Sequence, residues 1–306
     1  MSGRLRILIA GAAGQVGREL QRSFANAGEI ICHDYDTVDL ADPDQVRSMV
    51  RRAAPQIILN AAAYTAVDRA EGEPEAAVAV NSTAPRVLAE EARRCNALLV
   101  HYSTDYVFDG SKPEPWSETD KPNPLSVYGT SKLAGEEAIQ QVGGRYLIFR
   151  TSWVYGPHGR NFLLTMLRIA RERDELRIVD DQFGAPTSSI ELADSTRTVV
   201  SGVLDGRFGP TENWASLYHM TCSGSTSWYG FASAIFSHAA ALLDGKVPMV
   251  KPISSSEYIT PAKRPRNSVL SNEKLFTRFG AKLAPWEAAL DAVLSRLAES
   301  TQTVEL

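Results

Sequence analysis

Tyr128 and Lys132 stand four residues apart in Tyr128-Gly129-Thr130-Ser131-Lys132, so one helical turn brings a phenol and an ammonium to the same face. Together they form an acid-base pair. A phenol titrates near ~10, but a cation about 6 Å away at an effective dielectric near 20 favours phenolate by ~2–3 kcal/mol. The pKa of the phenol is then expected to fall by roughly two. A tuned phenol of this kind suits a reaction that develops negative charge on a carbonyl oxygen, as when a hydride carrier is bound beside it. The same spacing also occurs where a helix tyrosine is half-buried and the lysine is merely solvated. The chemistry therefore depends on whether the chain can hold a hydride carrier.

The amino-terminal segment supplies the means. Leu5-Arg6-Ile7-Leu8-Ile9-Ala10 is an apolar run that breaks into Gly11-Ala12-Ala13-Gly14-Gln15-Val16-Gly17, after which Val16, Leu20 and Phe24 recur at helical spacing. The order is strand, glycine turn, helix. Gly11 permits the tight turn, Gly14 lets backbone amides approach a pyrophosphate, and Gly17 allows the helix to pack closely on the strand. A second strand at Glu29–His33 ends at Asp34, 23 residues after Gly11, where a carboxylate reaches the adenosine ribose. Asp34 therefore favours NADH over NADPH, and no arginine follows it directly to receive a 2′-phosphate. Asp34, Asp36 and Asp39 also read as loop carboxylates ahead of a helix that starts at Asp42-Pro43-Asp44-Gln45, a cap with proline at the first helical position.

Further apolar runs at 56–60, 97–102 and 146–150 alternate with helical stretches, which predicts right-handed crossovers and a parallel sheet. The expected fold is α/β, a doubly wound Rossmann sheet with a smaller α/β substrate domain. In such sheets ligands bind beyond the carboxyl ends of the strands. Polar clusters follow those ends at Asn60–Thr65, Ser103–Tyr106 and Thr151–Trp153. Residues 1–155 read as the dinucleotide-binding domain and 156–306 mainly as the substrate domain, with segments near 160–180 and 217–222 returning to the first. A helix is expected over Phe162–Arg173 and a strand over Leu176–Val179.

Composition narrows the partners. The 306-residue chain is 44% hydrophobic with a formal net charge of −4, which gives it a large core and no general attraction to nucleic acid or anionic lipid. Cys32, Cys95 and Cys222 lack metal spacing and read as small buried hydrophobes in a reduced compartment. With no signal peptide and no run of about 20 apolar residues, the expected location is the cytoplasm. His33, His101, His158, His219 and His238 read as structural, and no metal site is assigned. Mg2+ has no support beyond acidic residues such as Glu191, which could gather it at an interface. Exposed helix faces could make a homodimer. Trp153 reads equally as a core aromatic or as a platform for a sugar. Arg264, in Lys263-Arg264-Pro265-Arg266, reads either as a surface charge or as a ligand for a diphosphate.

The glycine turn, Asn60-Ala61-Ala62-Ala63, Ser103-Thr104-Asp105-Tyr106-Val107-Phe108-Asp109-Gly110 and Tyr128 through Glu136 together resemble the extended short-chain dehydrogenase/reductases. Val67-Asp68-Arg69-Ala70-Glu71, Phe149 through Tyr155, Asp181 through Thr187 and Arg264 through Ser268 bring the chain closest to the branch that reduces dTDP-linked 4-keto-6-deoxysugars. The resemblance implies NAD(P)H-dependent reduction of the C4 ketone of dTDP-4-dehydro-6-deoxy-L-mannose. Tyr128 is then the proton donor, Lys132 binds the nicotinamide ribose and lowers the phenol's pKa, and Thr104 bonds the same oxygen. Gly14, Gln15 and Val16 cradle the pyrophosphate, Asp39 and Leu40 lie at the adenine, and Ala62, Ala63, Tyr64 and Thr65 line the cofactor. Asp105 and Trp153 contact the deoxysugar, and Arg264, by the charge of its loop, is the candidate for the diphosphate of the nucleotide-sugar substrate. Related dehydratases carry Thr-Asp-Glu where this chain has Thr104-Asp105-Tyr106, so the eliminating glutamate is missing. Other 4-ketoreductases, epimerases and a non-catalytic regulatory subunit of the methionine adenosyltransferase type share the fold. The intact Tyr128, Lys132 and Thr104 argue against the last.

Overall fold

The computed structural model describes residues 4–304. Its centre is a six-stranded sheet of β1 (Arg6–Ala10), β2 (Glu29–His33), β3 (Ile57–Asn60), β4 (Leu98–Thr104), β5 (Tyr146–Thr151) and β6 (Ser216–His219). The spatial order is β6-β5-β4-β3-β1-β2, and every pairing is parallel. This is the doubly wound α/β fold expected from the alternation of apolar runs. The chain order reverses between β1 and β3, so the crevice of the sheet opens above Ala10 and Asn60.

The strands are apolar on both faces because helices cover both. Alternate residues of one strand point to opposite sides, and Ile7 and Ile9 join one buried cluster while Leu8 joins another. On the Leu8 side lie α2 (Pro43–Ala53), α3 (Ala84–Arg94) and α4 (Val127–Val142). The Ile7 side is covered by α1 (Gln15–Phe24), with α5 (Phe162–Glu172), α6 (Ser189–Leu204), α7 (Trp228–His238) and α8 (Trp286–Val304) continuing the same cluster. That cluster runs without a break from Leu20 of α1 to Leu290 of α8. Outside the central sheet, Glu175–Val179 pairs parallel with Met249–Ile253, and two-residue strands join Val154–Tyr155 to Thr187–Ser188.

Helix starts follow local chemistry. Asp42 caps α2 by accepting from the amides of Asp44 at 2.8 Å and Gln45 at 3.3 Å, with Pro43 in the first turn. Ser126 caps α4 through the Gly129 amide at 3.1 Å. Two cysteines depart from expectation: Cys32 and Cys95 are exposed, and only Cys222 is buried. Cys32 belongs to β2, the edge strand of the sheet, and Cys95 follows the end of α3. Among the described residues no helix is long and apolar enough to cross a membrane, and no group of three or more His, Cys, Asp or Glu is arranged to hold a metal ion.

Candidate active site

A cavity of about 750 Å³ opens at the carboxyl ends of β1, β3 and β4. Its floor is the glycine turn. Gly11 sits at φ +78°, and a Cβ there would lie 2.6 Å from the Ala62 amide nitrogen, so only glycine lets the turn pass the end of β3. A Cβ on Gly17 would lie 2.0 Å from the Gly11 carbonyl oxygen. Gly17 thus holds α1 close without reaching the cavity, whereas Gly11, Gly14, Gln15 and Val16 line it. The amino terminus of α1 has no side-chain cap and no acidic residue in its first turn. Its first amides are left for an anion.

Asp34, Asp39 and Leu40 form one side of the cavity and Ala62, Ala63, Tyr64 and Thr65 another. Both carboxylates also serve their own loop: Asp34 accepts from the Asp36 amide at 3.2 Å and Asp39 from the Ala41 amide at 2.9 Å. The Tyr64 segment is fixed from an unexpected direction. Asn81, inside the π-helical turn Ala79–Thr83, accepts from the Tyr64 amide at 2.8 Å and donates to Ser131 Oγ of α4 at 3.0 Å. Ser103 and Thr151, from the polar clusters at the ends of β4 and β5, line the cavity, whereas Asn81, Tyr102 and Arg160 were not evident from sequence because they act through contacts between distant segments. Arg160 and Gly159 line the cavity from the loop before α5, and Asn161 of that loop donates to Gln15 Oε1 at 2.8 Å.

Tyr128 and Lys132 both face the cavity from α4. Their electrostatics differ from the expectation. Packing around the phenol pushes it up to about 12, opposed by a hydrogen bond with Thr104 and reinforced by Asp105, and Lys132 is not among the groups that move it. The lysine is turned elsewhere. Its Nζ donates to the Tyr102 carbonyl at 2.6 Å and lies 3.2 Å from His101 Nε2, and burial pulls the ammonium down to about 8. The expected fall in the phenol's pKa counted attraction between the two groups and left out the desolvation of both. A phenol at about 12 is fully protonated at neutral pH, which is the form a proton donor needs.

The residues assigned to a substrate, Thr104, Asp105, Trp153 and Arg264, are not in the wall of this cavity. Asp105 is 2% exposed, accepts from Thr104 Oγ1 at 3.1 Å and leaves its Oδ2 without a partner, and burial pushes it up to about 6. Tyr106 packs edge-on to Tyr128 with ring centroids 5.7 Å apart. Arg264 stands near Tyr106, but its guanidinium is held by Asp68 at 2.8 and 3.2 Å and so carries little free charge. Trp153 is stacked on Trp228 at 3.6 Å between centroids, in a left-handed backbone conformation at φ +47°. Such strain in a bulky residue persists only where the surroundings impose it. Glu191 is engaged locally, accepting from the Ala284 amide at 2.9 Å.

The buried hydroxyl of Thr151 lines the cavity and has no partner, and the uncapped α1 terminus faces the same space. An elongated ligand with anionic and polar groups fits this lining. The chain is 48% identical to a dTDP-4-dehydrorhamnose reductase of Burkholderia thailandensis over 94% of its length and 97% of the relative's. It is 43% identical to the reductase of that name from Escherichia coli, with 97% and 99% covered. The crystal structure of the Bacillus anthracis dTDP-4-dehydrorhamnose reductase in complex with NADP superposes with a TM-score of 0.87 at 34% identity, covering 96% of this chain and 99% of that one. The model of the RmlD substrate binding domain matches residues 5–299, and with that match over nearly its whole length the chain belongs to the RmlD family.

Proposed function

We propose that the protein is a dTDP-4-dehydrorhamnose reductase, which reduces the C4 ketone of dTDP-4-dehydro-6-deoxy-L-mannose to the alcohol of dTDP-L-rhamnose with NADH or NADPH. What carries the reading is one juxtaposition: the glycine turn and the Tyr128–Lys132 pair line the same cavity, in a chain closely similar to named reductases. When bound, the nicotinamide supplies the hydride. Gly14, Gln15 and Val16 are suited to the pyrophosphate, with Arg160 above them, and Asp34, Asp39 and Leu40 to the adenosine end.

The protein's own part is the proton. Tyr128, protonated at neutral pH, gives its hydroxyl proton to the C4 oxygen, and Thr104 bonds the phenol and can hold that oxygen in line. Lys132, which is charged below about 8 and lines the cavity, is suited to the nicotinamide ribose. Asp105, with its unpartnered oxygen, and Trp153 are suited to the sugar, while Arg264 reaches a diphosphate only by sharing its charge with Asp68. Asp34 on the cavity wall favours NADH. The roles do not divide at residue 155, because Asp105 and Trp153 lie before it and Arg160, on the cofactor's side, lies after it.

Consumption of reduced nicotinamide that depends on the 4-keto sugar tests the reading. The Tyr128→Phe variant should lose roughly 10²- to 10⁴-fold in kcat while binding cofactor as before. Full activity in that variant rules out Tyr128 as the donor, and a much lower KM for NADPH than for NADH rules out the preference assigned to Asp34.

A further inference from the structure

His101 is fully buried in β4 and touches two side chains that face each other across it. Its Nε2 lies 3.2 Å from Lys132 Nζ and its Nδ1 lies 2.9 Å from the Asn60 amide nitrogen at the end of β3. The Asn60 oxygen in turn accepts from the Ala62 amide at 3.3 Å. Burial and the neighbouring Lys132 keep the imidazole neutral, so it has one N–H and one lone pair to distribute. Two arrangements satisfy the imidazole, and the first does so at the cost of the Ala62 amide's bond to the Asn60 oxygen. With the proton on Nδ1, Nε2 accepts from the lysine ammonium and the amide of Asn60 presents its oxygen. With the proton on Nε2, it donates to a neutral lysine amine and the amide presents its nitrogen, as in the structure.

We propose that His101, oriented by Asn60, is a positioning residue that keeps Lys132 hydrogen-bonded in both of its protonation states and thereby sets the alkaline limit of the reaction. An ammonium has three N–H groups. The Tyr102 carbonyl takes one and His101 the second, which leaves one for the cavity that Lys132 lines. The charged group that acts on the lysine is Glu136 on its own helix, which favours the ammonium and is itself bonded to Arg150 of β5 at 2.6 and 2.8 Å. Tyr128, one turn away, is uncharged at neutral pH. His101 is thus the one side chain among these whose hydrogen-bonding role changes with the lysine's charge.

The inference rests on the reductase reading, and a titration of the free protein separates the two. The ε-carbon resonance of Lys132 is followed against pH in protein labelled with 13C-lysine, alongside the pH dependence of kcat. In His101→Phe the ammonium loses an acceptor and the amine a donor, and the first loss is the larger, so the lysine titration and the alkaline limb of kcat should both move down by about one pH unit, the excess of a hydrogen bond to a charged group over one to a neutral group. His101→Gln, which offers an amide oxygen in place of Nε2, should return both toward the parent values. Asn60→Leu, which frees the imidazole to turn, should move them in the same direction as phenylalanine and serves if His101→Phe does not fold. A lysine titration unmoved in His101→Phe and Asn60→Leu, or a kcat lowered equally at every pH, overturns the proposal. A protein without reductase activity whose Lys132 titration still moves overturns the function and leaves the positioning role standing.

Discussion

The Asp105 carboxyl carries a penalty that pH can reveal. It is 2% exposed, one of its oxygens has no partner, and it is pushed up to about 6 despite the hydrogen bond from Thr104. In the unfolded chain an aspartate titrates near ~3.9. Below that pH both states are protonated and the group is neutral toward folding. Between about 4 and 6 the unfolded state ionises first, so stability falls, and above about 6 the loss is complete and on the order of 3 kcal/mol. Asp105→Asn should therefore be more stable than the parent at pH 7 by on the order of 2 kcal/mol, allowing for the amide's own unmet hydrogen bonds, and the difference should vanish near pH 4. Urea unfolding of both proteins across this range checks it, and a difference independent of pH excludes an ionised Asp105 as the cause. The variant should also turn over poorly if this carboxylate holds the sugar. Tyr128, Lys132 and the glycine turn, which share one cavity, stood out in the sequence because each lies in a short spacing, whereas Thr104 was singled out only by family resemblance. The raised phenol, the half-neutralised Arg264 and the contact of His101 with Lys132 were not, because desolvation and partners from remote segments decide them.

Helix caps separate stability from catalysis. Asp42 caps α2 and Ser126 caps α4, each through a first-turn amide, and loss of either is expected to cost about 1 kcal/mol. Their consequences diverge. Tyr128 is the second residue of α4, so the turn that Ser126 fixes is the one that aims the phenol. Ser126→Ala should lower kcat by roughly tenfold or more, as small misplacements of a reacting group do, whereas Asp42→Ala should leave kcat unchanged at a similar loss of urea midpoint. Equal kcat in the two variants at equal loss of stability would show that the start of α4 does not aim the phenol. The cap at Asp42-Pro43 and the central strands were evident from sequence, since each spans enough residues to display its pattern. Pairs such as Val154–Tyr155 with Thr187–Ser188 were not, because two residues carry no periodicity and tertiary contact alone makes them strands. The loop that brings Arg160 over the glycine turn is hidden for the same reason.

At the scale of the whole molecule, the division of roles does not correspond to a division of the core. The cluster on the Ile7 face of the sheet takes Leu20 and Phe24 from α1, Tyr102 and Phe149 from the strands, Leu192 and Val199 from α6, and Leu290 and Val293 from α8. The buried carboxylate of Glu19 in α1 accepts from Arg296 of α8 at 2.8 and 2.9 Å and from Arg22 at 2.7 Å. The sixth strand of the sheet, Ser216–His219, also comes from the second half of the chain. A fragment of residues 1–155 therefore keeps only α1 over the Ile7 face of its sheet and leaves Glu19 without Arg296. Apolar burial stabilises by about 25 cal/mol per Å², and a sheet with most of one apolar face uncovered cannot offset the entropy of ordering its chain. The intact chain should unfold in urea as one transition, coincident by tryptophan fluorescence and far-ultraviolet circular dichroism. The 1–155 fragment should show no cooperative transition and should bind a hydrophobic dye. If the fragment instead folds cooperatively and binds NADH with the affinity of the whole chain, the halves are autonomous, and the continuous core is a contact between two domains rather than the basis of one.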